Sequence, residues 1–124
     1  MICRIFILDS NDKWLLGFND KLRALGWTTQ FALNLEEFKH RFVESETDLL
    51  ILRGIDDVAT LEHLNSIFDV RPNCGLIWIY PCREPFRSPY FHMADHRVPL
   101  ETSDVELLAI AQSLFKLLKR HRWR

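Results

Sequence analysis

Arg53 is the side chain whose placement could carry chemistry. It follows the unbroken apolar run Leu49-Leu50-Ile51-Leu52 and precedes Gly54, so a permanent planar cation with five donors stands where a buried strand would reach its edge. Such a group can hold a carboxylate or another anion but has no nucleophilic oxygen. The nearby acids are Asp9 and Asp12, in Asp9-Ser10-Asn11-Asp12 after another apolar run, and Asp56 and Asp57 just past Gly54. Acids in such loops are more often helix caps or solvated turn residues than substitute nucleophiles. Cys3, Cys74 and Cys82 show no Cys-x-x-Cys spacing, and His92 and His96 near Cys82 lack the tight ligand pairs that zinc uses. No nucleophile-base pair and no phosphate-cradling glycine loop is visible. The expectation is a binding or regulatory protein with no enzymatic activity, no cofactor and no metal.

The elements that must position Arg53 read as alternating strands and helices. Ile2 to Leu8 is a first strand. Leu15, Phe18, Leu22 and Leu25 then recur at helical spacing, with Gly26 as a stop able to take positive φ. Trp27 to Ala32 is a short second strand, and Asn34 with Glu37 makes a capping box for a helix burying Phe38 and Phe42. Asp48 to Gly54 is the central strand, continuous in apolar residues because helices cover both its faces. Leu61, Leu64 and Phe68 stripe a third helix that closes at Arg71-Pro72-Asn73, before the strand Gly75 to Tyr80. Pro81, Pro85 and Pro89 punctuate the next stretch, and an interior proline costs a helix ~3 kcal/mol, so no full helix is expected between Pro81 and Met93. Arg97 to Leu100 resumes a short strand. Ser103 with Glu106 caps a long last helix striped by Leu107, Ile110, Leu114 and Leu118, where Leu108 and Phe115 could form a second apolar face for self-association.

This order resembles the receiver domain of bacterial response regulators, on Ile5-Phe6-Ile7-Leu8-Asp9, Asp48-Leu49-Leu50-Ile51-Leu52, Leu76-Ile77-Trp78-Ile79 and Val98-Pro99-Leu100. The resemblance covers nearly the whole chain. It implies an α/β, flavodoxin-like, doubly wound parallel sheet of strand order 2-1-3-4-5, here with the fourth helix degraded or irregular. It also implies a degenerate phosphorylation pocket of Asp9, Ser10, Asp12, Arg53, Tyr80 and Val98. Receivers place two acids after strand one to hold magnesium, and here the pair reads Asp9-Ser10. The phosphoacceptor position falls on Arg53, the hydroxyl position after strand four on Tyr80, and the lysine before the proline on Val98. One carboxylate beside a guanidinium is a poor site for a divalent cation. The pattern is that of a pseudo-receiver. In this strand order strands one and three are neighbours, so Arg53 should reach Asp9, and Asp12 is within the same loop; the Val98–Pro99 bond is expected to be cis.

Composition sets the remaining bounds. The 124 residues, 48% hydrophobic, suit one domain, read as 1–118 with a basic tail or linker at 119–124. Sixteen basic against seventeen acidic residues give a net charge of −1, which argues against direct nucleic-acid binding by this segment or attraction to an anionic membrane. The odd cysteine count and the absence of a leader-like segment after Met1 point to a reduced cytoplasmic protein. Trp14, Trp27 and Trp78 read as packing residues, while Trp123 sits in the basic tail. Two functional readings are consistent with these bounds. The first is a receiver-like regulatory domain acting through a protein partner or homodimer, with a DNA-binding output region beyond Arg124. The second is a stand-alone adaptor or small-anion sensor.

Overall fold

The computed structural model describes residues 2–70, 74–81 and 87–122, apart from the side chains of Asp12, Phe68, Asp69, Val70, Phe91, His121 and Arg122. Five parallel strands, β1 (Arg4–Leu8), β2 (Thr28–Ala32), β3 (Leu49–Arg53), β4 (Gly75–Tyr80) and β5 (His96–Pro99), form one sheet in the order β2-β1-β3-β4-β5. Among the described residues four helices connect or follow them: α1 (Asp12–Ala24), α2 (Leu35–Val43), α3 (Val58–Val70) and α4 (Asp104–Arg122). This is the doubly wound order the sequence implies, and β3 is its central strand.

Alternation along the strands divides the core into two layers. Ile5, Ile7, Leu49, Ile51, Ile77 and Ile79 face α1 and α4, where they pack with Leu15, Phe18, Leu22, Leu107, Ala111 and Leu114. Phe6, Leu8, Leu50, Leu52, Leu76 and Trp78 face the other way, onto Phe38 and Phe42 of α2 and Leu61 and Leu64 of α3. Phe6 meets both phenylalanines edge-on at 5.4 and 5.5 Å, an arrangement that favours aromatic quadrupoles.

The helix boundaries follow their caps. Asn11 Oδ1 accepts from the N–H groups of Lys13 and Trp14, Asn34 Oδ1 from Glu37 N–H, and Ser103 Oγ from Glu106 N–H. The Glu37 carboxylate accepts from Leu33 N–H, one residue ahead of the cap. Gly26, at φ 77°, ends the turn after α1. Asp57 accepts from both the N–H and the hydroxyl of Thr60, which makes it the cap of α3.

Two expectations need correction. The Val98–Pro99 bond is trans. Both residues lie in the β5 ladder opposite Ile79 and Tyr80, and the chain turns only afterwards, where Thr102 N–H donates to Pro99 O at 3.1 Å. Leu108 and Phe115 form no second face. Phe115 is buried against Trp27 with ring centroids 5.6 Å apart and Leu108 packs on the same layer, because both lie within about 100° of the Leu107-Ala111-Leu114 stripe. Between β4 and β5 the described residues 87–93 hold turns and short 3-10 structure, including the 3-10 turn Phe91–Met93; Cys82 to Phe86 lie outside the described residues. α4 itself continues past Leu118 to Arg122, with Lys119 Nζ 4.5 Å above the Phe115 ring, while Trp123 and Arg124 lie outside the described residues.

Candidate functional site

The carboxyl ends of β1 and β3 define the site. Their register pairs Leu8 with Leu52, and one residue further along each strand stand Asp9 and Arg53. Both fall on the face shared by Ile7 and Ile51, the side covered by α1 and α4. Arg53 Nη1 lies 3.4 Å from Asp9 Oδ2, with the two side chains 14% and 2% exposed. The contact is longer than a well-formed N–H···O hydrogen bond and is held mainly by charge.

The guanidinium and carboxylate do not form a paired, two-bond arrangement. Asp9 Oδ1 accepts from Asn11 N–H at 3.0 Å, while Oδ2 faces the arginine. The guanidinium is held from another direction by Trp14, whose ring centroid lies 4.5 Å from Arg53 Cζ. Trp14 stacks on Phe18 at 4.8 Å with ring planes 15° apart. Its Nε1–H donates to Asp104 Oδ1 at 3.2 Å, and Lys21 Nζ donates to the other oxygen at 2.8 Å. Burial pushes the Asp9 carboxyl above the ordinary carboxylate range, and the Asn11 N–H, the Arg53 charge and the Ser10 N–H offset only part of that.

The strand ends are fixed from beneath. Gly54 takes φ 69°, a conformation that glycine tolerates best, and its N–H donates to Ile79 O at 2.9 Å. Trp78 Nε1–H donates to Ile55 O at 2.9 Å. The loop after β3 is therefore tied to β4 at two successive points.

Of the residues singled out from the sequence, the fold brings Asp9 and Arg53 together. Ser10 is exposed at the bend before α1. Asp12 begins α1, and its side chain lies outside the described ones. Tyr80 extends to the opposite face of the sheet, where it packs with the α2 and α3 layer 6.3 Å from the Trp78 ring. Val98 is buried in the α1 and α4 layer. Trp14, Asp104 and Lys21 were not expected at the site. The spacing of Trp14 and Phe18, four apart on one helix face, was the only local signal, and it reads equally well as core packing.

The donor set suits a divalent cation poorly. Asp9 supplies one carboxylate, already bonded through both oxygens, and a guanidinium stands where further hard oxygen ligands would be needed. No group of three His, Cys, Asp or Glu side chains that could hold a metal ion occurs among the described residues. No helix among them is long and apolar enough to cross a membrane.

No protein-family model matches the sequence, and no curated protein matches it. Solved structures do. The CheY-like receiver domain from Methanospirillum hungatei JF-1 superposes with a TM-score of 0.82 at 16% identity, covering 98% of this chain and 99% of its own. The response regulator TrrA from Thermotoga maritima, solved with Mg2+ and beryllium fluoride, gives 0.77 at 21% identity, over 91% of this chain and 99% of its own. DrrB from Thermotoga maritima, an OmpR/PhoB homologue, gives 0.77 at 21% identity over 98% of this chain but 54% of its own. At these identities the likeness is one of fold. The chain has the receiver fold, with five parallel strands flanked by four helices among the described residues.

Proposed function

We propose that this chain is a phosphorylation-independent, receiver-like regulatory domain, which acts through protein contacts to control an output such as transcription. The observation that carries the reading is the Arg53 guanidinium at the carboxyl end of β3, set against Asp9. Ligands of open α/β sheets gather at such strand ends, and this one presents a fixed cation with no nucleophilic oxygen. In this reading the domain catalyses nothing, and the Asp9–Arg53 pair holds the loops in one arrangement without a metal or a phosphoryl group. The small-anion alternative draws less support, because the guanidinium is 14% exposed and already faces Asp9 and Trp14.

The test is intact mass after incubation with acetyl phosphate and Mg2+. No added phosphoryl group is expected. A stable gain of one such group, abolished by replacing a single aspartate, would overturn the reading. Sequencing of the natural reading frame past Arg124 distinguishes a joined output region from a stand-alone adaptor.

A further inference from the structure

Five side chains, from the loop after β1 and from β3, α1 and α4, form one line of contacts between the strand ends and the last helix. Asp9 meets Arg53 at 3.4 Å, Arg53 lies over Trp14 at 4.5 Å, Trp14 donates to Asp104 at 3.2 Å, and Asp104 accepts from Lys21 at 2.8 Å. Asp104 is the first residue of α4, and Trp14 and Lys21 both belong to α1. The seam between these two helices at the start of α4 is thus closed by Trp14, Lys21 and Asp104, and Trp14 also meets Arg53. Among the aromatic residues, tryptophan suits this position because its ring face receives the cation while its edge N–H donates to the carboxylate. Stacking on buried Phe18 sets the ring against the core.

We infer that Trp14 is a relay, through which the position of Arg53 against Asp9 sets how the first turn of α4 is held against α1. A partner bound at the strand ends that draws Arg53 aside removes the cation from the indole and loosens Asp104. A partner that grips the start of α4 acts in the reverse direction, because coupling between two sites is reciprocal. The relay goes beyond the proposed function and holds whether or not the chain accepts a phosphoryl group.

Coupling between Arg53 and Asp104, which do not touch in the described contacts, is the measurable quantity. Arg53→Lys and Asp104→Asn are made singly and together in the full chain, and the set is repeated in a Trp14→Phe background, which keeps a ring face and removes the donor. In urea unfolding, the folding constant of the double variant is expected to depart about threefold or more from the product of the single effects when Trp14 is present. In the Trp14→Phe background the departure is expected to vanish. No departure with Trp14, or an equal one without it, overturns the relay. Should a double variant fail to fold, the indole N–H resonance of Trp14, assigned by its loss in Trp14→Phe, gives a second readout. Arg53→Lys alone is expected to move that resonance and speed its exchange with solvent, and an unchanged resonance in the folded variant overturns the inference.

Discussion

β1 and β3 are closed at both ends by an arginine and an aspartate 44 residues apart, with the partners exchanged between the strands. At the amino end Arg4 of β1 meets Asp48, immediately before β3; at the carboxyl end Asp9 follows β1 and Arg53 ends β3. The two pairs are built differently. Asp48 Oδ2 accepts from Arg4 N–H at 2.9 Å and from its Nε at 3.2 Å, while Asp48 N–H donates to Arg4 O at 2.8 Å. The carboxylate therefore extends the backbone ladder. Arg4 stays 42% exposed and also reaches Glu46, and its bond to Asp48 raises its pKa above the usual arginine value. At the other end the guanidinium is enclosed by an indole, and burial works against the charge on Asp9. The same two residue types thus give a hydrated clamp at one edge and a desolvated, weakly bonded charge at the other. A charge opposed by its surroundings is what functional strand ends commonly contain.

The largest expected effect lies at the clamp. Asp48→Ala leaves a strand N–H without its acceptor and the Arg4 guanidinium with Glu46 but no Asp48, and a loss of about 3 kcal/mol in urea melts is expected, at the low end for a broken buried pair because Arg4 is open to water. Arg53→Ala should cost less, about 2 kcal/mol, since Asp9 keeps its bond to Asn11 N–H. Equal losses in the two variants would erase the distinction between the edges.

The third expectation concerns pH. Asp9 holds its proton more readily in the folded chain than in the unfolded one, so its contribution to stability is full below about pH 4 and is lost as pH rises through the raised folded value. Asp9→Asn removes that dependence. Between about pH 4 and about pH 8, the stability difference between variant and parent should move in the variant's favour as pH rises. A difference that is flat, or that moves the other way, would show that Arg53 outweighs burial. The smallest effect belongs to Glu46→Gln. With Glu46 83% exposed, its contact with Arg4 should contribute within about 0.5 kcal/mol, and a larger change in the melting curve would mean that the hydrated clamp depends on its outer arm.

The layers were legible because continuous runs such as Leu49–Leu52 and Leu76–Ile79 can be covered only on both faces, and because Asn11, Asn34 and Ser103 mark helix starts locally. Asp9 and Arg53 were legible from the same runs, each being the first polar residue past a buried strand. Other features were not. Arg4 and Asp48 find each other through the parallel register, and Asp104 reaches Trp14 across 90 residues, so no local pattern announces either contact. The cis bond expected before Pro99 and the second apolar face expected at Leu108 and Phe115 failed for a related reason. Both positions depend on packing against β4 and Trp27 respectively, which override what a borrowed turn or a helical spacing implies.

The sheet also has two outer margins, β2 and β5, and neither invites another strand. On β2, Arg41 Nη1 donates to Phe31 O at 2.7 Å, occupying an acceptor with a charged side chain. β5 is four residues long and contains Pro99, which has no N–H to offer. A foreign extended segment would have to displace a guanidinium on one margin or accept a broken ladder on the other. Aggregation by edge-to-edge growth is accordingly disfavoured in the native state.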